Sequence, residues 1–190
     1  MSELVIRDAA LTDAPALWSI YKPYVEKTVI TFETEVPTVE EFGRRIQKVQ
    51  ERYPYLVALL EGRPVGYAYG HPFVGRAAYD WAAELSIYVA ENLRHAGVGG
   101  QLYAALTDAL KKTGVLNLYA CIGVPDQEDE YLNFNSAQFH AHLGFKEIGT
   151  FHACGYKFNR WYNMIWMGKT IGEHLAKQPP IIPYPQLRKG

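Results

Sequence analysis

The stretch from Ala83 to Ile122 constrains the fold more than any other part of the chain. It opens with an apolar run, "AELSIYVA" (83–90), and continues through "ENLRHAGVGG" into "QLYAALTDALKK", a run of good helix formers stopped by Gly114. It closes with a second apolar run, "VLNLYACI" (115–122). Both runs read as buried strands. Strand, helix and strand in that order predict a parallel crossover, right-handed by the general rule for such units.

The flanking sequence is of a different kind. "LVIR" (4–7) reads as a short strand. Thr12 and Asp13 then offer a helix cap with Pro15 in the first turn, and Leu17, Ile20, Tyr21 and Tyr24 follow at helical spacing. Thr38 and Glu41 have the spacing of a capping box, which predicts a second helix to about Arg52. "YLVALL" (55–60) and "VGYAYGH" (65–71) read as a hairpin turned by "EGRP". "NFNSAQFHAHLG" reads as a short helix with a glycine stop, and "FKEIGTFHA" and "YKFNRWYNMIWMGK" as two final strands. From Glu173 onward the four prolines of "QPPIIPYPQ" predict an extended tail. The predicted fold class is single-domain α/β, with a mixed, mostly antiparallel central sheet, helices on both faces and one parallel β-α-β unit. The domain is expected to span 1–170, with 171–190 as a proline-rich extension.

Composition narrows the function classes. The chain has 190 residues, 48% hydrophobic and 21% charged, with a formal net charge of −1. That balance gives no sign of nucleic-acid or membrane binding. The opening "MSELVIRDAA" lacks the order of a secretory signal, and the apolar runs are far short of a membrane span. Cys121 and Cys154 are the only cysteines, which fits a reducing cytoplasm and gives no zinc site; no metal is expected.

The loop before the long helix carries the chemical signal. Gly97, Gly99 and Gly100 lie behind Arg94, where bare backbone would let a phosphate approach a helix N-terminus. A P-loop would need a lysine that does not follow here. A dinucleotide fingerprint would need a third glycine at position 102, which is leucine, and would begin with the first strand of its unit. A plain glycine-rich turn accounts for the spacing as well.

Arg94-x-x-Gly97-x-Gly99, after "LSIYV" and before "LYAAL", resembles motif A of the GNAT superfamily of N-acetyltransferases. The resemblance extends to the phosphinothricin N-acetyltransferase branch. It runs through "IRDAALTDAPAL", "ITFETEVPT", "YLVALLEGRPVGYAYG", "AYDWAAELSIYV", "NSAQFHAHLGFKEIG" and "GYKFNRWYNMIWM", about residues 4–168. It implies acetyl-coenzyme A as co-substrate. Arg94, His95, Ala96, Gly97, Val98, Gly99 and Gly100 would wrap its pyrophosphate, and backbone at Ile87, Tyr88 and Val89 would contact the pantetheine arm and polarise the thioester carbonyl. Asn133 and Ser136 match coenzyme-contacting positions of the family, and they also suit helix caps. His140 matches a family histidine, and a packed helix histidine is the simpler reading. The resemblance further implies a homodimer.

Acetyl transfer to an amine needs a base for the amine proton, donors for the oxyanion and an outlet for the thiolate. Glu84 opens an otherwise apolar strand, where burial would raise its pKa toward neutrality. It also matches the glutamate proposed as general base in the family. Asp80, in the preceding loop, is the weaker rival. Phe32, Arg76, Tyr79, Lys157 and Phe158 match acceptor-side segments, where a cation facing a carboxylate or phosphinate would make sense.

The chain departs from the family at three single positions and in one loop. Ala96 stands where a basic or polar residue is usual, Gly100 where one is often found, and Ala82 replaces a threonine before the base. The loop "GVPDQEDEYL" is longer than usual; its Asp126, Glu128, Asp129 and Glu130 would be solvated or, overhanging the acceptor site, would favour cationic amines.

The expected function is direct acetyl transfer, in a ternary complex, to the amino group of a small amino-acid-like molecule of the phosphinothricin or methionine sulfoximine type. Neither cysteine is needed as a nucleophile. The rivals are a polyamine, aminoglycoside or protein N-terminal acceptor, a coenzyme A-binding module without turnover, and a nucleotide-binding protein.

Overall fold

A computed structural model of the protein describes residues 3–93 and 96–188. These residues form seven strands and five α-helices: β1 (Leu4–Asp8), α1 (Ala14–Lys27), α2 (Val39–Gln50), β2 (Tyr55–Leu60), β3 (Arg63–Pro72), β4 (Ala82–Val89), α3 (Val98–Thr113), β5 (Asn117–Val124), α4 (Asn135–His142), β6 (Lys146–Lys157), β7 (Arg160–Thr170) and α5 (Tyr184–Leu187). The chain makes two compact units. The first holds the residues up to Ile20, Pro37–Leu118 and those from Thr170 on; the second holds Tyr21–Val36 and Tyr119–Lys169.

In the first unit the strands run β1-β2-β3-β4, each antiparallel to the next. The β2–β3 hairpin turns on Glu61 and Gly62, both with positive φ (51° and 76°), the two-residue geometry that matches strand twist. The backbone amides of Leu116 and Asn117, just before or at the start of β5, both donate to the carbonyl of Trp81, just before β4. The two strands therefore start side by side and run parallel, as the crossover predicts.

β3 explains why helices cover both faces of this unit. Its alternation puts Gly66, Ala68 and Gly70 on one side and Tyr67, Tyr69 and His71 on the other. A Cβ on Gly66 would lie 3.2 Å from the Leu102 side chain, and one on Gly70 would lie 3.1 Å from Leu110. The small residues thus let α3 sit close to the strand. On the opposite face Tyr55 stacks on Tyr69 at 4.7 Å and on Tyr67 at 5.6 Å, and Phe42 of α2 meets Tyr67 edge-on at 6.0 Å. Such ring pairs each contribute roughly 0.5–1.5 kcal/mol beyond area burial.

The ends of the helices follow the sequence with two changes. Thr38 caps α2 by accepting the Glu41 N–H at 3.1 Å, but the Glu41 carboxylate turns to Arg44 and Arg45, so only half of the capping box forms. Asp13 does not cap α1. Its carboxylate accepts the Ala10 N–H (2.7 Å) and a two-point bond from Arg7 (2.7 and 2.9 Å), which ties the helix approach to β1.

The proline-rich tail is extended up to one helical turn, α5, and it is anchored. The Trp81 indole donates to the Pro179 carbonyl at 2.8 Å. Ile182 N–H donates to Thr113, Tyr184 N–H donates to Arg52, and Arg188 pairs with Asp8.

In the second unit the order is β5-β7-β6. The sequence reading broke the last two strands near Cys154. The turn lies instead at Phe158 and Asn159, both with positive φ (51° and 59°), and β6 continues past Cys154 and Gly155 with a break in its register between Phe151 and Gly155, where Ala153 has φ 46°. Gly155 serves a different purpose: a Cβ there would lie 2.0 Å from the Phe32 ring, so glycine makes room for that ring. Phe32, Ile30, Tyr131 and Phe158 pack around a small core of Val29, Leu132 and Tyr162.

Candidate active site

The donor-side elements stand at the start of α3. Gly97 adopts φ 80° at the N-cap, a conformation that costs an L-residue roughly 1–2 kcal/mol. Among the described residues, leaving aside chain neighbours and the helix's own backbone, nothing lies within 4 Å of where a Cβ would stand on Gly97 or Gly100. Helix geometry leaves the first amides, at Val98, Gly99 and Gly100, without intrahelical acceptors. The first turn carries no acidic residue to neutralise the positive end of the helix. Val98 itself is buried, so its contribution to a ligand is its backbone. Ala96 is exposed beside Gly97. Arg94 and His95, expected to complete this cradle, lie outside the described residues. Ile87, Tyr88 and Val89 are half-buried at the end of β4, on the strand that leads to the loop.

Glu84 lies near the other end of β4, and its carboxylate is an uncompensated one. Its side chain is only 21% exposed and makes no hydrogen bond within 3.5 Å among the described residues. Burial pushes its pKa up to about 7. The cross-strand partner of Glu84 is His71, whose Nε2 lies 3.8 Å from Glu84 Oε1. Burial holds His71 below the usual histidine pKa, so its ring is mostly neutral at pH 7. The phenol of Tyr103, fully buried on α3, is pushed up by burial and by the charge of Glu84. Asp80, the rival base, is engaged by Arg52 at 2.9 Å. A carboxylate that shares its proton near neutrality and has no fixed partner is suited to taking a proton from an ammonium group. His71 escaped the sequence reading, because its relation to Glu84 depends on the hairpin register and not on spacing along the chain.

Arg76 and Tyr79 belong to the same unit as Glu84. Arg76 precedes a short 3-10 turn, and Tyr79 is 45% exposed with its ring edge-on to Phe73.

Phe32, Lys157 and Phe158 come together in the second unit. Lys157 is buried, and its Nζ donates to the Thr31 carbonyl at 2.8 Å. Burial lowers its pKa to about 8, against an opposing pull from Glu33. It is therefore a clamp on the loop that carries Phe32, not a free surface cation. Phe158 stacks on Tyr131 at 4.4 Å. Asn133 accepts the Asn135 N–H at 3.1 Å from just before the helix, but the N-cap position of α4 is Phe134 and no side chain caps it; Ser136 lies in the first turn. His140 is the packed histidine anticipated: it is buried, bonded to the Ser136 carbonyl at 2.7 Å and set edge-on to Phe139 and Phe145.

In the acidic loop Asp126, Glu128 and Glu130 are exposed, as the solvated reading expects, and Asp129 is half-buried. The carboxylates of the loop are already partnered within this unit. Asp129 accepts from the Tyr131 and Leu132 amides, the Tyr162 hydroxyl and Arg160, while Asp126 accepts from Asn163, Glu128 from the Phe134 amide and Glu130 from Arg160. These bonds give the four carboxylates a structural role in the loop.

Among the described residues no group of three His, Cys, Asp or Glu side chains could hold a metal ion, and no helix is long and apolar enough to cross a membrane. Both cysteines are exposed, and neither forms a disulfide.

Comparison with known proteins agrees with this arrangement. The family described as the acetyltransferase (GNAT) domain matches residues 6–166. Phosphinothricin N-acetyltransferase of Streptomyces viridochromogenes is 34% identical over 182 residues, covering 96% of this chain and 95% of that protein. L-methionine sulfoximine/L-methionine sulfone acetyltransferase of Pseudomonas paraeruginosa is 34% identical over 167 residues, covering 85% and 91%. The crystal structure of a phosphinothricin acetyltransferase from Sinorhizobium meliloti in complex with acetyl-coenzyme A superposes with a TM-score of 0.86, at 32% identity and 97% coverage of both chains. A glycine-opened helix after an apolar strand, a lone carboxylate on that strand, and similarity over nearly the whole chain place this protein in the GNAT family of N-acetyltransferases, in the branch that resembles phosphinothricin N-acetyltransferase.

Proposed function

We propose that the protein transfers the acetyl group of acetyl-coenzyme A to the amino group of a small amino-acid-like acceptor of the phosphinothricin or methionine sulfoximine type. The observation that carries this reading is Glu84, a half-hidden carboxylate with a pKa of about 7 and no hydrogen-bond partner, on the strand that leads to the glycine loop. The acceptor names of the relatives support the choice of substrate class.

In this reading Glu84 takes a proton from the acceptor ammonium, directly or through water. The freed amine attacks the thioester carbonyl, and backbone near Val89 steadies the oxyanion. Collapse forms the amide and breaks the C–S bond. The nitrogen loses its second proton, and the thiolate leaves as the thiol after taking up one proton. The loop Arg94–Gly100 holds the pyrophosphate through backbone more than side chains, with Asn133 and Ser136 as further coenzyme contacts. Phe32, Arg76, Tyr79 and Phe158 line the acceptor side, and Lys157 keeps the Phe32 loop in place.

The catalytic domain would span 1–170, with 171–190 as an extension, in a cytoplasmic homodimer. Ile148, Phe151, Tyr156 and Trp161 on the β6–β7 hairpin are each more than half exposed, which supports a self-association surface there.

Thiol release from acetyl-coenzyme A, measured with phosphinothricin, methionine sulfoximine, methionine sulfone, spermidine and a protein N-terminal peptide, tests the reading. Release with the first three acceptors is expected. Release with spermidine or the peptide alone would overturn the acceptor class.

A further inference from the structure

The acetyl transfer proposed above removes two protons from one nitrogen: one before the attack and one from the tetrahedral intermediate. One of the two can leave on the departing thiol, so each turnover sends one net proton to solvent. Glu84 must discharge that proton before it can act again, and the half-buried position that raises its affinity for a proton also limits its contact with water.

His71 is placed to relieve it. The two residues are direct cross-strand partners in the β3–β4 pairing, so the sheet itself fixes their separation. Nε2 stands 3.8 Å from Oε1, beyond a hydrogen bond but within the reach of a small side-chain rotation. Tyr69 backs the ring at 5.8 Å, and a polar contact with the Pro72 carbonyl favours the protonated ring. The His71 side chain is 28% exposed, against 21% for Glu84, so it is the more open of the two to solvent. The other titratable groups around the pair are phenols, Tyr69 beside the ring and Tyr103 within range of Glu84. No further charged side chain pairs with either residue among the described residues.

We propose that His71 is a positioning residue for proton exit: it accepts at Nε2 the proton that Glu84 has taken from the acceptor nitrogen, and passes it to solvent. The step balances as carboxylic acid plus neutral imidazole giving carboxylate plus imidazolium, followed by loss of one proton to water or buffer. It restores Glu84 as a carboxylate for the next turnover without any added reactant.

The inference rests on Glu84 acting as base, so the test includes Glu84→Gln. For His71→Gln, kcat is expected to fall between about 10- and 100-fold, the low end of what a positioned proton-transfer group contributes, with KM for acceptor and acetyl-coenzyme A little changed. Raising the imidazole buffer concentration at constant pH and ionic strength is expected to restore part of that loss in the variant and to leave the wild type unchanged. An unchanged kcat, or a loss that buffer does not repair, overturns the relay. If Glu84→Gln keeps full turnover, the base assignment itself falls. If Glu84→Gln is impaired and His71→Gln is not, only the relay falls. A measurement that needs no His71 variant is the titration of the His71 ring by NMR in wild type and Glu84→Gln. The ring is expected to protonate at higher pH in the wild type, where a carboxylate faces it, and coincident titrations overturn the coupling.

Discussion

Glu84 in the first unit and Asp129 in the second carry the same kind of group under opposite conditions. Asp129 accepts hydrogen bonds from two backbone amides, a tyrosine and an arginine. Burial pushes its pKa up, but the bonds from Tyr162, Tyr131, Arg160 and Leu132 outweigh that and hold it below the usual range. Glu84 has burial without the bonds, and its pKa moves the other way. The contrast separates a carboxylate that holds a loop together from one left ready to accept a proton. Charge alone does not distinguish them, and the number of fixed donors does.

The largest expected effect tests the reactive member of the pair. Glu84→Gln should lower kcat by about 10²–10⁴-fold, the usual contribution of a positioned base. In the wild type kcat/KM should fall as pH drops through about 7, because the acid form of Glu84 cannot accept a proton. Steady-state rates across pH 5.5–8.5 give both, and a full-rate variant would erase the contrast.

Asp129→Ala tests the structural member. It leaves Tyr162 and two amides without their acceptor and takes one of the two carboxylates from Arg160, which should cost about 2–3 kcal/mol of stability by urea unfolding at pH 7. The sign of the pH dependence follows from the lowered pKa. Stability from Asp129 is fully present above the ordinary aspartate range and is lost as pH falls through the folded-state pKa. The gap between wild type and variant should therefore close in acid.

Gly97→Ala probes the donor side without touching either carboxylate. Forcing an L-residue to φ 80° should cost roughly 1–2 kcal/mol, read as a rise of about 5- to 30-fold in the dissociation constant for acetyl-coenzyme A by calorimetry. Unchanged affinity would show that the loop tolerates a side chain and is not held in this form by the ligand.

The smallest effect is thermal. Between the ordinary glutamate pKa of 4.5 and about 7 the folded protein binds the Glu84 proton and the unfolded chain does not, so stability falls as pH rises across that window. Glu84→Gln removes this loss. Its Tm should exceed that of the wild type by about 2–4 °C at pH 8, the shift expected of ~1 kcal/mol after solvent screening, and by much less at pH 5. Equal melting at both pH values would mean that Glu84 is solvated after all.

The contrast also marks what the sequence could and could not tell. Glu84 was legible because a lone carboxylate in "AELSIYVA" has no local explanation. The glycine loop was legible because glycine serves a backbone need that holds at short range. The role of Asp129 was not: acidic runs usually face water, and the partners Arg160 and Tyr162 are some thirty residues further on. His71 was hidden for a similar reason, since only the register of β3 against β4 brings it to Glu84. The last turn was misplaced because Gly155 looks like a turn residue in isolation, when its missing side chain answers to Phe32, over a hundred residues earlier. Local rules found the elements, and distant pairings decided which polar groups were left free.

The seating of the tail has a consequence in time. Arg188, Tyr184, Ile182 and Pro179 hold Asp8, Arg52, Thr113 and Trp81, so residues made among the last secure segments made first. During synthesis β1 to β4 can pair, but the approach to the strand of Glu84 waits for residues translated about a hundred positions after Trp81. Long-range closures of this kind slow folding and leave the intermediate exposed. The strand that carries Glu84 should therefore be among the last parts of the nascent protein to reach its final state.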